Sequence, residues 1–156
     1  MGKVILTKKQ KELIERLGVF MESEGLSPAP SRIMGLLLVS DKLELTFEDI
    51  YETLKISKSA ASNAINMLLR THRVEYMTKS GERKRYFRTR FDQWEKMFSE
   101  RTQGLYSMIP LLKEIHQQRP KTSREFNAHL KDFIAFIEFL HGEIPLLYKK
   151  WKERKI

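Results

Sequence analysis

The stretch from Leu45 to Arg88 constrains the fold more than any other, because two capped helix starts and a basic hairpin follow one another there. Thr46 is placed to cap a helix through its hydroxyl, and Asp49 three residues later supplies the reciprocal partner of a capping box. Leu45 and Ile50 complete a hydrophobic staple, so a helix over Phe47 to Leu54 is well specified. Ser57 is a second N-cap, opening a helix to about Arg70 that turns Ala61, Ala64, Ile65 and Leu68 inward. Val74 to Met77 and Lys84 to Arg88 favour strand and flank the turn-like Thr78-Lys79-Ser80-Gly81-Glu82. Two short helices, a tight turn between them and a hairpin behind them predict a winged helix-turn-helix.

Charge singles out the same stretch. Between Lys55 and Arg90 ten basic residues face two acidic ones, a net +8 out of +9 for the whole chain. Concentrated positive charge is the footprint of a polyanion, and a winged helix-turn-helix points it at double-stranded DNA. The second helix of such a motif lies in the major groove, and its outward positions here are Lys58, Ser59, Ser62, Asn63, Asn66 and Arg70. Small side chains permit close approach, and Asn pairs bidentately with adenine. On the wing, Lys79, Arg83, Lys84 and Arg85 are the candidate DNA contacts. Arg83 at the tip is expected to enter the minor groove, steadied by Glu82, while Lys84 and Arg85 meet phosphates. The blander reading has the Ser and Asn residues solvating an ordinary helix and about half the wing cations facing water.

The flanks read as helical. Thr7 to Glu24 is amphipathic, with Leu13, Leu17, Phe20 and Met21 on one face. Pro28 and Pro30 are expected to break the chain before a nearly all-apolar helix from Ser31 to about Val39, with Asp41 to Leu45 as a connector. From Phe91 onward Trp94, Phe98, Leu105, Met108, Leu112 and Ile115 recur at helical spacing, Arg101 filling one polar slot. Phe126, Leu130, Phe133, Ile137, Leu140, Ile144, Leu147 and Trp151 then alternate steps of four and three, a heptad-like seam. Pro110 and Pro145 are each expected to kink or interrupt a helix. The fold expected is mainly α (α+β): residues 1–45 as supporting and dimerisation helices, 46–90 as the winged DNA-binding region, 91–156 as a helical dimerisation region. A second copy of the chain is the natural cover for the seam, so a homodimer is expected.

Other chemistries find little support. The 156 residues include no cysteine, no apolar run long enough to cross a bilayer and no apolar N-terminal core for secretion, which points to the cytoplasm. His72, His116, His129 and His141 show no i, i+4 pairing, so no metal site is expected. No nucleophile elbow, phosphate-binding loop or zinc-hydrolase motif occurs, which argues against an enzyme or a cofactor. The aromatics Phe126, Phe133, Phe136, Phe139, Tyr148 and Trp151 either line a ligand pocket or belong to the seam. Pro110, Pro145, Gly104 and Gly142 mark where a cavity for a small-molecule effector could open between the winged region and the long helices.

At these residues the chain resembles the MarR superfamily of winged-helix regulators, and in detail its GbsR-type branch. Ser31-Arg32-Ile33-Met34-Gly35-Leu36-Leu37-Leu38 is similar to that branch's apolar second helix with its leading arginine. Ile56-Ser57-Lys58-Ser59-Ala60-Ala61-Ser62 resembles its recognition-helix start, and Gly81-Glu82-Arg83-Lys84 with Tyr86 its wing. The similarity runs from about Leu13 to Arg88. It implies a homodimer with interlocking terminal helices that binds an operator, often as a repressor relieved by a small ligand, whose chemistry no motif in this chain specifies. His72 stands where many relatives place glycine, at a position that calls for a left-handed backbone.

Two other classes share part of this pattern. A nonspecific DNA-compacting protein has the same electrostatics but discriminates little among sequences. A winged-helix RNA- or protein-interaction module lacks either the need for such charge or, with only Tyr86 and Phe87 as candidates, the exposed rings that stack on bases.

Overall fold

The computed structural model of the chain describes residues 4–154 and is mostly helical. Two compact units divide it, one ending at Asp92 and the other beginning at Gln93.

The first unit contains α1 (Lys8–Ser23), α2 (Pro28–Val39), β1 (Leu45–Thr46), α3 (Phe47–Leu54), α4 (Lys58–Arg70), β2 (Val74–Thr78) and β3 (Arg85–Thr89). Thr7 caps α1 with a capping box closed by Gln10. Pro28 and Pro30 do not stop the chain ahead of α2: they sit in its first turn, where a missing N–H costs nothing, so α2 starts earlier than the expected Ser31. Around α3 the local chemistry expected from sequence is present. Thr46 Oγ1 accepts from Asp49 N at 3.1 Å and Asp49 Oδ2 accepts from Thr46 N at 3.0 Å, between the fully buried Leu45 and Ile50. The tight turn into α4 depends on Lys55 adopting a left-handed backbone, φ 53°. Ser57 Oγ then caps α4 through Ala60 N, and Ala61, Ala64, Ile65 and Leu68 are buried beneath it.

The sheet has the order β1-β3-β2, all antiparallel. Sequence reading places a connector where β1 pairs with β3, Leu45 opposite Phe87 and Thr46 opposite Tyr86. This two-residue strand makes its hydrogen bonds to a partner far along the chain, so no local signal marks it. The core joins Ile33, Leu36, Leu45, Ile50 and Leu68 with Val74 and Phe87, tying the hairpin to the helices.

α1 corrects one expectation. Leu13 (37% exposed) and Phe20 (60% exposed) face outward, and the buried positions are Ile14 and Gly18, with Leu17 and Met21 half-buried. The reason is the crossing with α2, which is made through glycines that a hydrophobicity pattern does not register. A Cβ on Gly35 would stand 3.2 Å from the Ile14 backbone, and one on Gly18 only 2.7 Å from the Arg32 guanidinium. Arg32 lies over Gly18 and reaches Glu22 and, at 3.1 Å, Glu15. The leading arginine of α2 is therefore a clamp between two helices.

His72 follows α4 with φ 54°, the left-handed conformation expected at that position. That conformation costs a non-glycine residue about 1–2 kcal/mol, while glycine loses about 0.4–1 kcal/mol through its freer unfolded chain. His72→Gly is accordingly expected to stabilise the protein by about 0.5–1 kcal/mol, raising Tm by roughly 1–4 °C. A lowered Tm in a thermal melt would show that the imidazole supplies a contact worth more than the strain.

The second unit contains α5 (Trp94–Tyr106), entered through a 3-10 turn at Phe91–Gln93, then α6 (Ile109–Gln118) and α7 (Arg124–Glu153). Pro110 lies in the first turn of α6, where the preceding helix has ended, so the interruption expected there is present and α5 and α6 are separate helices. Pro145, in contrast, does not end α7, which runs through it and through Gly142 for 30 residues, roughly 45 Å. Proline there removes one bond, to the His141 carbonyl, and a helix of this length with packed neighbours tolerates the loss. Tyr106 is buried and donates to the Leu140 carbonyl at 3.3 Å, its ring 4.3 Å from that of His141. Lys113 on α6 pairs with Glu138 on α7 at 2.5 Å.

Along the seam, Ile137 is buried, Leu130, Leu140, Ile144 and Trp151 are half-buried, and Phe126, Phe133 and Leu147 are 47–58% exposed. Part of the heptad stripe is thus covered within the chain. Phe136, Phe139 and Leu146, outside the stripe, are also exposed. Among the described residues no helix is long and apolar enough to cross a membrane.

Candidate nucleic-acid interface

The buried face of α4 fixes what its other face presents. With Ala61, Ala64, Ile65 and Leu68 held in the core, Lys58, Ser59, Ser62, Asn63, Asn66 and Arg70 all stand exposed. Their availability differs. Ser59 Oγ lies 3.1 Å from the capping Ser57 Oγ, and Lys58 Nζ lies 5.4 Å over the Tyr51 ring of α3. The side chains of Asn63, Asn66 and Arg70 make no hydrogen bond or ion pair among the described residues and are free to meet a ligand.

The wing sorts its cations by partner. Arg88 on β3 bonds Glu75 across the strand pair at 2.6–2.7 Å and lies 3.6 Å from Asp92; its guanidinium is held above its usual pKa, chiefly by the Glu75 bond. Lys79 pairs with Glu44, just before β1, and its Nζ sits 4.2 Å over the Tyr86 ring. Arg85 lies over the Tyr76 ring at 4.8 Å. Arg83 and Lys84 carry no ion pair among the described residues. Glu82, expected to steady Arg83, instead accepts from the Tyr86 hydroxyl, because Tyr86 on β3 projects back under the turn. Tyr86 is correspondingly hard to ionise, its pKa raised first by that bond.

A groove of about 420 Å³ joins helix and wing. Ser62 and Asn66 from α4 and Arg83, Lys84 and Arg85 from the wing line it, over Phe47, Ile65 and Phe87. Glu48, in the first turn of α3, is a carboxylate in the same groove that sequence reasoning did not select. Lys79 lines a neighbouring cavity with Lys42, Glu44, Asp49 and Tyr86, and Lys84 contributes to both. Five of the sequence-selected residues therefore converge on one concave surface, four lie on the exposed helix face beside or beyond it, and Lys79 lines only the neighbouring cavity, which it shares with Lys84.

A second cavity, of about 480 Å³, lies within the C-terminal unit between α5 and α7. Phe98, Thr102, Tyr106, His141, Pro145 and Tyr148 contribute to its wall, with Glu95 at one end. Of the C-terminal aromatics singled out in the sequence only Tyr148 lines it; Gly104, Gly142 and Pro110 do not. Glu95 accepts from the Tyr148 hydroxyl and pairs with Lys152 at 2.9 Å.

No protein-family model matches the chain. It is 27% identical over 131 residues to the HTH-type transcriptional regulator MmpR5 of Mycobacterium tuberculosis, an alignment spanning 81% of this chain and 79% of that one. Among solved structures it resembles a crystal structure of a transcriptional regulator at a TM-score of 0.66 and 24% identity, over 91% of this chain and 99% of that chain. A looser likeness, TM-score 0.44 and 16% identity over 81% of this chain and 91% of the other, is to a mutant of MepR from S. aureus bound to an oligodeoxyribonucleotide. The chain has the winged-helix fold that the first of these structures shows, with additional helices at both ends.

Proposed function

We propose that the protein is a sequence-specific, DNA-binding transcriptional repressor of the MarR type and its GbsR-type branch, acting in the cytoplasm as a homodimer and catalysing no reaction. The observation that carries this reading is the concave surface on which the polar face of α4 meets the unpaired cations of the wing. In this reading Asn63, Ser59, Ser62 and Asn66 face base edges, Lys58, Arg70, Lys84 and Arg85 neutralise phosphates, and Arg83 enters the minor groove. Its similarity to MmpR5, a transcriptional regulator by name, supports the same class. An RNA-stacking module is disfavoured because Phe87 is buried and the Tyr86 hydroxyl is tied to Glu82.

Exposed Phe126, Phe133 and Leu147, with Phe136, Phe139 and Leu146, supply the apolar area that a second subunit would cover. The supporting helices to residue 45, the winged region 46–90 and the dimerisation region 91–156 then divide the labour. An effector seated in the cavity between α5 and α7 would act on the spacing of the two recognition helices, and half-sites about 34 Å apart make that spacing decisive.

Genome-wide mapping of bound sites, followed by titration of the recovered promoter fragments against random DNA at one salt concentration, tests the reading. Preference for the recovered fragments by about 10³-fold or more is expected. Equal affinity for both would replace the regulator with a DNA-compacting protein.

A further inference from the structure

Lys79 stands in the charged wing, but its ammonium, unlike the cations of Arg83 and Lys84, is already paired among the described residues. Its ammonium pairs with the Glu44 carboxylate and sits 4.2 Å over the Tyr86 ring, and the Tyr86 hydroxyl donates to Glu82. Glu82 N in turn donates to the Lys79 carbonyl at 3.0 Å, closing the wing turn around Gly81, whose φ of 80° suits glycine. The four side chains come from three places: Glu44 from the segment entering β1, Lys79 and Glu82 from the turn, and Tyr86 from β3. Tyr86 is itself paired with Thr46 of β1, so the cluster connects the wing turn to the body of the domain along the β1-β3 register.

The chemistry of this cluster differs from that of a phosphate contact. A lysine meant for DNA has to exchange water and small counterions for a phosphate oxygen, and each such exchange steepens the salt dependence of binding. Lys79 has already made that exchange with Glu44, a pairing that holds its pKa above the usual value. Arg83 and Lys84, two to three positions beyond Gly81, have made none among the described residues.

We propose that Lys79 is a positioning residue: clasped by Glu44 and seated on Tyr86, it fixes the angle of the wing so that Arg83 meets the minor groove and Lys84 the phosphates. The inference rests on the DNA-binding reading above. Glu44 holds Lys79, Lys79 and Tyr86 hold the turn, and the turn aims the free cations.

Binding of a mixed-sequence DNA duplex, titrated across salt concentrations, and hydrogen exchange across residues 79–86 of the free protein test the proposal together. Glu44→Gln and Lys79→Gln are expected to weaken binding by about fivefold each, the size of an exposed ion pair with a cation-π contact. The double variant should be no weaker than Lys79→Gln alone, because Glu44→Gln removes only the ion pair that Lys79→Gln already breaks. The slope of log K against log salt should stay unchanged in these variants and flatten by about 0.9 in Lys84→Gln. Hydrogen exchange in the wing should accelerate in Glu44→Gln and Lys79→Gln and not in Lys84→Gln. A slope flattened by about 0.9 in Lys79→Gln, or tighter binding in Glu44→Gln, would make Lys79 a phosphate contact and overturn the proposal. So would unchanged exchange. If the wild-type protein binds no DNA while exchange still accelerates in both variants, the DNA reading falls and the wing clasp stands.

Discussion

Truncation after Arg119 is expected to turn a dimer into a monomer or an aggregate and to lower DNA affinity by about 10²- to 10⁴-fold, the loss that follows when two linked half-sites become independent. α7 carries the buried Ile134 and Ile137 and the exposed Phe126, Phe133 and Leu147, so its removal takes away both internal cover and the surface for a partner. A milder variant separates the two. Phe133→Glu with Leu147→Glu alters only side chains that already face solvent in one chain, leaving the packing of Tyr106 under Leu140 and His141 intact. It should therefore stay folded and become monomeric at concentrations where the parent protein is a dimer. Mass by light scattering and a DNA titration read both effects. A soluble monomer with undiminished affinity for the recovered promoter fragments would remove the seam from the account of DNA binding.

Replacing Ser59 and Asn63 together by alanine is expected to erase most of the preference for those fragments while sparing affinity for random DNA. Each lost base contact costs roughly 1–3 kcal/mol, so the pair removes on the order of 2–6 kcal/mol of discrimination. Asn63 should account for the larger share, because its amide is uncommitted whereas the Ser59 hydroxyl already lies 3.1 Å from Ser57 Oγ. Lys84→Ala and Arg85→Ala should instead weaken every sequence alike and flatten the salt dependence by about 0.9 per contact. Arg83→Ala should hurt A·T-rich flanks most, as expected of a guanidinium in a narrow minor groove. Competition titrations with promoter and random duplexes across salt give all of these values. Intact preference after Ser59→Ala and Asn63→Ala, with preference lost in Arg85→Ala, would move base reading from α4 to the wing.

What the sequence made legible was local chemistry. The capping box at Thr46 and Asp49, the Ser57 cap and the inward face of α4 are written within a few residues of where they act, and the structure repeats them. The left-handed backbone at His72 was likewise marked by one position. Features made by distant partners were not legible. β1 exists only because Phe87 and Tyr86 of β3 come alongside it, and the Lys79 pairing needs Glu44 from across the sheet. Counting cations along the hairpin could not show that Lys79 and Arg88 were already engaged. The face of α1 was misread for a related reason: a glycine that lets two helices meet has no hydrophobicity to count. Proline acts by position: Pro110 stands at the helix break expected of it, whereas Pro28 and Pro30 occupy a first turn and Pro145 sits within a continuous helix.

The clamp at the α1-α2 crossing also limits the order in which this chain can change. A methyl group on Gly18 collides with Arg32 as long as Arg32 reaches across to Glu15 and Glu22. Losing the arginine first removes that obstacle but strands two carboxylates beside an open glycine, one of them mostly shielded from water. Neither single step is neutral, whereas a shortened residue 32 together with neutral partners and an alanine at 18 leaves no clash and no unpaired charge. The acceptability of each residue here is thus conditional on the others, so an alanine at 18 is expected to cost less stability alongside a shortened residue 32 and neutral residues at 15 and 22 than alone.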